Sequence, residues 1–257
     1  MTLPIGLQLY SVRESAKKDF EGTIRRVAEL GYVGVEPAGF PGTTPELAGK
    51  LFRKLGLAVP SAHSALPIGD VKNEELDVMD VIGCKRLVSG FGPDDFKTVD
   101  SIKAVCEKFE EARANAAERG IAVGYHNHWW EYETVGETGK LGVDFMLEFL
   151  SPEIFFEIDT YWVTVARQNA AETIARFGER VQLLHIKDGL GKRDEPMLAA
   201  GSGVMDFPSI VGAAKSADWL IVELDHCATD MMQAVAESIE YLASLIPIVN
   251  PNNRYTL

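Results

Sequence analysis

The chain has 257 residues, 46% of them hydrophobic and 25% charged, which suits one α/β barrel with a substantial apolar core. Its formal net charge of −13 at pH 7, without a Lys/Arg cluster, argues against binding to a nucleic-acid backbone. The opening MTLPIGLQLYSV has no basic segment before its apolar residues, and no apolar run approaches ~20 residues, so we expect a cytoplasmic protein without a membrane partner. The sequence has three widely spaced cysteines, Cys84, Cys106 and Cys227, and no CxxC pair. This spacing argues against a disulfide framework or a zinc–thiolate site.

Along the chain one pattern recurs, in which an amphipathic stretch ends at a glycine and a short apolar run follows at once. The stretch KKDFEGTIRRVAELG keeps its apolar residues on one helical face, and Thr44 before Pro45 predicts the start of the next helix. The short apolar runs are typical of parallel strands covered on both faces. We expect the left-handed conformation at the glycines that end the amphipathic stretches: Gly31, Gly56, Gly83, Gly120 and Gly178.

Eight apolar runs are strand candidates, and a helical stretch follows each of them. The runs cover residues 5–10, 32–36, 57–63, 85–89, 121–127, 154–159, 181–188 and 219–225. We therefore predict an α/β fold, a single-domain (β/α)8 TIM barrel over residues 1–257. A doubly wound open sheet is the alternative, but no GxGxxG turn follows the first strand, and no linker divides the chain.

Polar side chains cluster at the C-terminal ends of the predicted strands. In a barrel these ends surround one opening, the mouth, which is the usual place of the active site. Several carboxylates and an imidazole converging there would form a divalent cation site, because crowded carboxylates repel one another. Oxygen ligands with one nitrogen suit Mn²⁺, Mg²⁺, Co²⁺ or Fe²⁺. The strand-end residues are Gln8, Tyr10, Glu36, His63, Ser89, His126, His128, Glu131, Glu157, Asp159, His185, Lys187, Asp188, Glu223, Asp225 and His226.

Several of these residues also have a purely structural interpretation. Asp188 and Asp225 could be helix caps, and His63 could be a hydrogen-bonded core residue. We expect Glu157 to point to the other side of its strand from a ligand and to pair with a Lys or Arg. What favours a functional site is the succession of four strands that all end in residues able to bind a metal.

Two further motifs have open interpretations. The pair Trp129–Trp130 is typical of packing, although it could also form a wall of the substrate pocket. The stretch GSGVMDF (201–207) could bind a phosphate, as barrel loops after strands 7 and 8 often do, or form a tight turn into the helix after Asp206.

Segments from both halves of the chain resemble the xylose isomerase-like TIM-barrel superfamily. This superfamily includes sugar phosphate isomerase/epimerase-type proteins, ketose 3-epimerases, inosose dehydratase and endonuclease IV. The resemblance covers nearly the whole chain and does not select a substrate. The segments are GLQLYSVRE, GYHNHWWEYE, FFEIDTYW, LLHIKD, GSGVMDF and IVELD.

The resemblance implies a divalent cation held by one residue from each of strands 5 to 8. Mn²⁺ is the expected ion, with Mg²⁺, Co²⁺, Fe²⁺ and Zn²⁺ as alternatives, and a homo-oligomer is compatible with the family. Glu131 and Glu223 would be the catalytic pair that exchanges the substrate proton, as in the epimerases. The implied metal ligands are Glu131, Asp159, His185 and Glu223, and the expected substrate-binding residues are His63, Lys187, His126, His128, Trp162, Gln8 and Glu36.

The chain departs from the epimerase pattern at two positions. Glu131 comes late, after YHNHWW, so Glu133 or His126 could be the strand-5 ligand instead. Trp162 stands where the epimerases have a histidine three residues after the strand-6 aspartate. Both departures weaken the case for simple ketose 3-epimerisation, and the YHNH segment resembles inosose dehydratase-like and uncharacterised sugar isomerase members more closely.

The expected activity is that of a metal-dependent isomerase or epimerase of a sugar or sugar-like polyol, which removes the proton α to a carbonyl and stabilises an enediolate. The alternative is a lyase of the inosose dehydratase type, because loss of a β-hydroxyl starts from the same intermediate. A metal hydrolase is disfavoured because the pair His126 and His128 lies on the fifth strand, not the first. Endonuclease-like DNA cleavage conflicts with five histidines and a charge of −13. A catalytically silent polyol-binding protein is a further alternative.

Overall fold

The computed structural model describes residues 3–246, and within them eight parallel strands form a barrel. The strand order is β2-β1-β8-β7-β6-β5-β4-β3, and the bridges Gly34–Ala58 and Ala38–His63 join β2 to β3. The predicted TIM barrel is therefore confirmed. The predicted single domain also includes residues 1–2 and 247–257, which lie outside the described residues. The strands are β1 Ile5–Gln8, β2 Gly34–Glu36, β3 Ala62–His63, β4 Arg86–Ser89, β5 Ala122–His126, β6 Phe155–Asp159, β7 Val181–Ile186 and β8 Trp219–Val222.

Ten α-helices cover the outside of the barrel in the described part of the chain. Within this part, no helix combines the length and apolar character that a membrane span needs. The helices are α1 Arg13–Lys18, α2 Phe20–Glu29, α3 Pro45–Leu55, α4 Lys72–Ile82, α5 Val99–Ala117, α6 Gly142–Phe149, α7 Thr160–Val165, α8 Ala170–Phe177, α9 Phe207–Ala213 and α10 Met231–Leu245.

Local signals in the sequence set the helix ends. Thr44 caps α3 by accepting a hydrogen bond from the Leu47 N–H, and Pro45 is its first residue, as predicted. At the other end, Gly56 has φ 70° and ψ 19°, the left-handed conformation that glycine adopts without steric cost. All five glycines predicted to end amphipathic stretches have positive φ.

The strands are shorter than predicted. The run 57–63 contributes only Ala62–His63 as a strand, with Ala58 making an isolated bridge to Gly34. Pro60 lies between them, and proline has no N–H to donate to the ladder. Strand β8 ends at Val222, so Glu223 and Asp225 lie in the loop that follows. The early strand ends leave these polar side chains free to face the mouth.

Large and small side chains complement each other at the N-terminal end of the barrel interior. A Cβ built on Gly124 would lie 2.3 Å from the Phe155 ring, and one built on Gly34 would lie 2.6 Å from the Trp219 ring. The two aromatic rings thus occupy the space that the Cβ of any other residue at Gly124 or Gly34 would need. The apolar cluster at this end consists of Val88, Phe155, Leu183, Trp219 and Ile221.

Candidate active site

Four side chains from consecutive strands converge at the C-terminal mouth of the barrel. His126 and Asp159 are the last residues of β5 and β6, His185 lies in β7, and Glu223 directly follows β8. One ligand atom of each lies within 4.8 Å of the others, and all four residues are buried. We call this set the mouth cluster. It contains three of the four predicted ligands, with His126 in place of Glu131.

A second group lies next to the mouth cluster and shares its two histidines. Glu157 Oε2 lies 2.6 Å from His63 Nε2, 3.1 Å from His126 Nδ1 and 3.1 Å from His185 Nε2. Glu157 therefore faces the barrel interior, on the same side as Asp159, and the expectation that it points away and pairs with a Lys or Arg is wrong. Alternation along a strand puts residues two apart on one face, so the spacing of Glu157 and Asp159 already contained this signal.

Glu36 completes the second group. Its Oε1 accepts a hydrogen bond from Gln8 Nε2 at 2.6 Å and lies 2.7 Å from His185 Nε2. Its Oε2 accepts a hydrogen bond from the Ser61 hydroxyl. Gln8 and Glu36 are fully buried and therefore not on the surface of the mouth; Glu36 holds the His185 ring, and Gln8 holds Glu36. Ser61 was not anticipated from the sequence, and nothing but its position two residues before His63 points to it.

Lys187 lies between three carboxylates. Its Nζ is 3.0 Å from Asp159 Oδ2, 2.8 Å from Glu223 Oε2 and 2.9 Å from Asp225 Oδ2. Burial lowers the pKa of Lys187, but these carboxylates outweigh burial and hold the pKa well above its usual range. Lys187 is therefore a permanent cation, and Asp225 lies at the mouth, where the sequence placed it with a helix cap as the alternative.

The pKa values within the mouth cluster differ from group to group. Burial lowers the pKa of His185, but three surrounding carboxylates outweigh burial and hold it well above its usual range, so this ring must release a proton to bind a cation. Burial lowers the pKa of His126 to about 3, so its ring is neutral, the form that coordinates metals. Burial raises the pKa of Asp159 to about 6 in spite of Lys187. Burial acts in the same direction on Glu223, but Lys187 and His185 outweigh it and hold the pKa of Glu223 well below its usual range.

A divalent cation fits this donor set. Asp159 Oδ2 is buried, and it lies 3.0 Å from Lys187 Nζ and 4.0 Å from His126 Nε2. Two potential ligand atoms, Asp159 Oδ2 and His126 Nε2, thus face each other across a gap. Two carboxylates and two imidazoles are ligands that suit Mn²⁺, Fe²⁺, Co²⁺ or Zn²⁺. Buried carboxylates that are crowded together repel one another, and a cation would relieve that repulsion.

Glu131 lies outside both groups. Its Oε1 accepts a hydrogen bond from the Tyr125 hydroxyl at 2.8 Å, and its Oε2 accepts one from the His128 N–H at 2.8 Å. The Tyr125 ring packs on Phe109 of α5, so Glu131 is drawn towards the layer between strands and helices. Burial raises the pKa of Glu131 to about 8. Glu133, the other carboxylate alternative, is exposed.

Aromatic side chains form one wall of the mouth. The His128 ring stacks on Trp130 at 4.2 Å, and Trp129 packs on Trp162 at 4.8 Å. Lys187 Nζ lies 5.4 Å from the Trp162 ring centroid. A cavity of about 420 Å³ opens here. Its lining includes Tyr10, His63, Phe91, His126, His128, Trp130, Lys187, Glu223 and Asp225.

The GSGVMDF loop cradles a carboxylate of the protein itself. Asp188 Oδ2 accepts hydrogen bonds from the N–H groups of Gly201 and Gly203, both at 2.9 Å. Its Oδ1 accepts one from Met205 N–H at 3.2 Å. A Cβ built on Gly203 would lie 2.1 Å from Asp188 Oδ1, which explains the glycine. Three N–H donors of this loop are therefore already occupied, so the tight-turn interpretation describes the loop better than a phosphate site.

Known proteins that are similar in sequence or in structure identify the family of this chain. A sequence comparison with curated proteins gives no match. The structure of a sugar phosphate isomerase/epimerase from Parabacteroides distasonis is 25% identical over 94% of each chain, with a TM-score of 0.80. A D-allulose 3-epimerase from Methylomonas sp. is 19% identical over 95% of this chain and 99% of its own, with a TM-score of 0.67.

A third structure extends the comparison to another reaction. The probable 3-DHS dehydratase AsbF from Bacillus anthracis is 12% identical over 94% of this chain and 99% of its own, with a TM-score of 0.74. Below 25% identity, the likeness to the D-allulose 3-epimerase and the dehydratase concerns the fold alone. The family model described as xylose isomerase-like TIM barrel matches residues 24–245. The chain therefore belongs to the xylose isomerase-like TIM-barrel family.

Proposed function

We propose that the protein is a divalent metal-dependent isomerase or epimerase of a sugar or sugar-like polyol. The observation that carries the proposal is the mouth cluster, in which two carboxylates and two imidazoles meet beside a buried lysine. The proposed ligands are His126, Asp159, His185 and Glu223. A divalent cation, Mn²⁺ as the expected ion, supplies Lewis acidity that stabilises negative charge on the oxygens of a hydroxy-carbonyl substrate.

Glu223 is the proposed base that removes the proton α to the carbonyl. Its low pKa keeps it ionised at neutral pH, and its Oε2 is oriented by His185 Nδ1 at 2.7 Å. Lys187, 2.8 Å from the same oxygen, is positioned to donate a hydrogen bond to a substrate oxygen. Glu223 lines the cavity, which gives it access to a bound substrate.

Epimerisation needs a second group that returns the proton on the opposite face of the substrate, whereas isomerisation returns it to the adjacent carbon. Glu131 is unsuited to this role because both of its oxygens are hydrogen-bonded inside the protein. His128 lines the cavity, and its buried Nδ1 has no hydrogen-bond partner among the described residues. Burial lowers the pKa of His128 to about 2, so the ring is neutral and a weak base. We propose that His128 contacts the substrate as a neutral hydrogen-bonding group and is not a second base.

The proposed substrate carries no phosphate. Among the described residues that line the cavity, Lys187 is the only Lys or Arg, and three carboxylates already surround it. Lys187 and a divalent cation together only neutralise these carboxylates, so no positive charge remains for a phosphate dianion. The aromatic residues Tyr10, Phe91 and Trp130 of the lining suit the apolar face of a sugar ring.

A dehydratase acting on a keto-polyol or keto-sugar is the second candidate. The observation that favours it is the position of Glu131, whose two oxygens are hydrogen-bonded inside the protein. The site therefore lacks the second glutamate that a proton exchange between two carboxylates would need. Elimination needs only one base, Glu223, which can pass the proton that it removes to the departing hydroxyl, while Lys187 is positioned to donate a hydrogen bond to that oxygen. The product would carry a new C=C bond conjugated to the carbonyl, and water would be released.

The test is proton exchange in D₂O with Mn²⁺ and a panel of ketoses and inososes, each with its phosphate ester where one exists. We expect deuterium incorporation α to the carbonyl with free sugars and not with their esters. Glu223→Gln should lower exchange by about 10³-fold or more while leaving the circular dichroism spectrum unchanged. Metal content measured on the same sample separates loss of the base from loss of the ion. An active Glu223→Gln enzyme contradicts the proposal, and enone absorbance without exchange supports the dehydratase.

A further inference from the structure

The two ring nitrogens of His126 face two different carboxylates. Nδ1 lies 3.1 Å from Glu157 Oε2, within hydrogen-bond distance, whereas Nε2 lies 4.0 Å from Asp159 Oδ2. A neutral imidazole has one N–H and one lone pair. The ring must therefore offer its N–H to one carboxylate and its lone pair to the other.

Glu157 is the carboxylate that takes the N–H. An ionised carboxylate only accepts hydrogen bonds, so a lone pair on Nδ1 at 3.1 Å would be repelled. Glu157 is fully buried, and its Oε2 also receives His63 Nε2 at 2.6 Å and His185 Nε2 at 3.1 Å. Three imidazole nitrogens within 3.1 Å of this one oxygen thus fix the carboxylate in place.

We infer that Glu157 is a positioning residue that holds His126 in the Nδ1–H tautomer and so directs the Nε2 lone pair into the mouth beside Asp159. In water, the Nε2–H tautomer of a neutral histidine is the more populated one, so the protein imposes the less common form. The same carboxylate supports His185, the other imidazole of the mouth cluster, from the side opposite Glu223. A carboxylate behind a ligand histidine fixes the tautomer and the ring orientation, and its loss typically lowers metal affinity about 10–100-fold.

The purpose of this arrangement rests on the proposed metal site, but the tautomer itself does not. It is therefore tested first on metal-free protein. The chain also offers a matched control in Glu131, a second fully buried glutamate, whose two oxygens contact a tyrosine hydroxyl and a backbone N–H and no imidazole ring. A general effect of replacing a buried glutamate would appear in both variants.

The experiment is long-range ¹⁵N–¹H NMR of the full chain after EDTA treatment at pH 7, with the His126 signals assigned by their absence in His126→Asn. We expect a neutral His126 ring with its proton on Nδ1. In Glu157→Gln this signature should be lost, and the Mn²⁺ dissociation constant measured by calorimetry should rise about 10–100-fold. Both readouts should stay unchanged in Glu131→Gln.

Two results would overturn the inference. One is an Nε2–H tautomer of His126 in the unaltered protein, a measurement that needs no variant to fold. The other is a folded Glu157→Gln protein with an unchanged His126 signature and unchanged Mn²⁺ affinity. If the tautomer and the affinity behave as expected but no substrate exchanges a proton, the proposed reaction fails while the role of Glu157 stands.

Discussion

The two ends of the barrel interior are built on opposite principles. The N-terminal end holds five buried apolar side chains, among them Phe155 and Trp219, which fill the space left by glycines on neighbouring strands. The C-terminal end holds buried carboxylates, imidazoles and one lysine, and Glu157 Oε1 has no hydrogen-bond partner in the described part of the chain. Strand β6 contributes to both ends, since Phe155 lies at its start and Asp159 at its end.

The difference shows where the fold gains stability and where it gives some up for chemistry. Apolar packing at the N-terminal end stabilises the barrel without depending on pH. At the C-terminal end, buried charges are stable only in pairs and groups, and the unpartnered Glu157 Oε1 carries a cost. Substitutions at the two ends should therefore affect different measurements.

The largest effect on stability is expected at the N-terminal end. Phe155→Ala should lower the free energy of unfolding by about 3–5 kcal/mol, because it leaves a cavity that Gly124 cannot fill. The check is urea denaturation followed by tryptophan fluorescence. The control Leu47→Ala, at a side chain that is 58% exposed, should change stability by less than about 0.5 kcal/mol.

Mn²⁺ affinity sharpens the same comparison. Folded Phe155→Ala protein should bind Mn²⁺ as the unaltered chain does, because the residue lies at the other end of the strand from Asp159. If Phe155→Ala lost metal affinity with little loss of stability, the division of the barrel interior into two ends would be contradicted.

A pH-dependent effect is expected at Glu131, which belongs to neither end. Its pKa of about 8 in the folded protein lies above the ordinary value of 4.5 that the unfolded chain would show. Its contribution to stability is therefore complete below about pH 4.5 and is lost as the pH rises towards 8. The slope is at most about 1.4 kcal/mol per pH unit.

Because glutamine does not titrate, Glu131→Gln should gain stability relative to the unaltered protein between pH 5 and pH 8. Urea denaturation at four pH values in this range measures the difference. Parallel stability profiles for the two proteins would show that Glu131 is ionised in the folded state, and its hydrogen bonds would then outweigh its burial.

The fold could be predicted from the sequence because each unit repeats the same local signals. A capped amphipathic helix, a left-handed glycine such as Gly56 and a short apolar strand recur around the ring. The strand ends were less predictable, since Pro60 breaks the ladder before β3 and the chain leaves β8 at Val222. Such ends depend on the neighbouring strand, which the local sequence does not specify.

The site was predictable where polar residues directly end a strand. Asp159, His185 and Glu223 follow from that rule and from the resemblance. Glu131 does not, because the turn after His126 carries it to the Tyr125 hydroxyl, and the direction of a turn is set by tertiary packing. The orientation of Glu157 was recoverable from strand alternation, but its three histidine partners come from three other strands.

We propose that the metal ligand from strand 5 is His126 and not Glu131. This proposal is tested most directly by Mn²⁺ titration calorimetry. The unaltered chain should bind one Mn²⁺, Glu131→Gln should bind it with an affinity within about threefold, and His126→Ala should lose at least about 100-fold, or about 2.8 kcal/mol. Strong binding by His126→Ala together with lost binding by Glu131→Gln would contradict the account and return Glu131 to the metal.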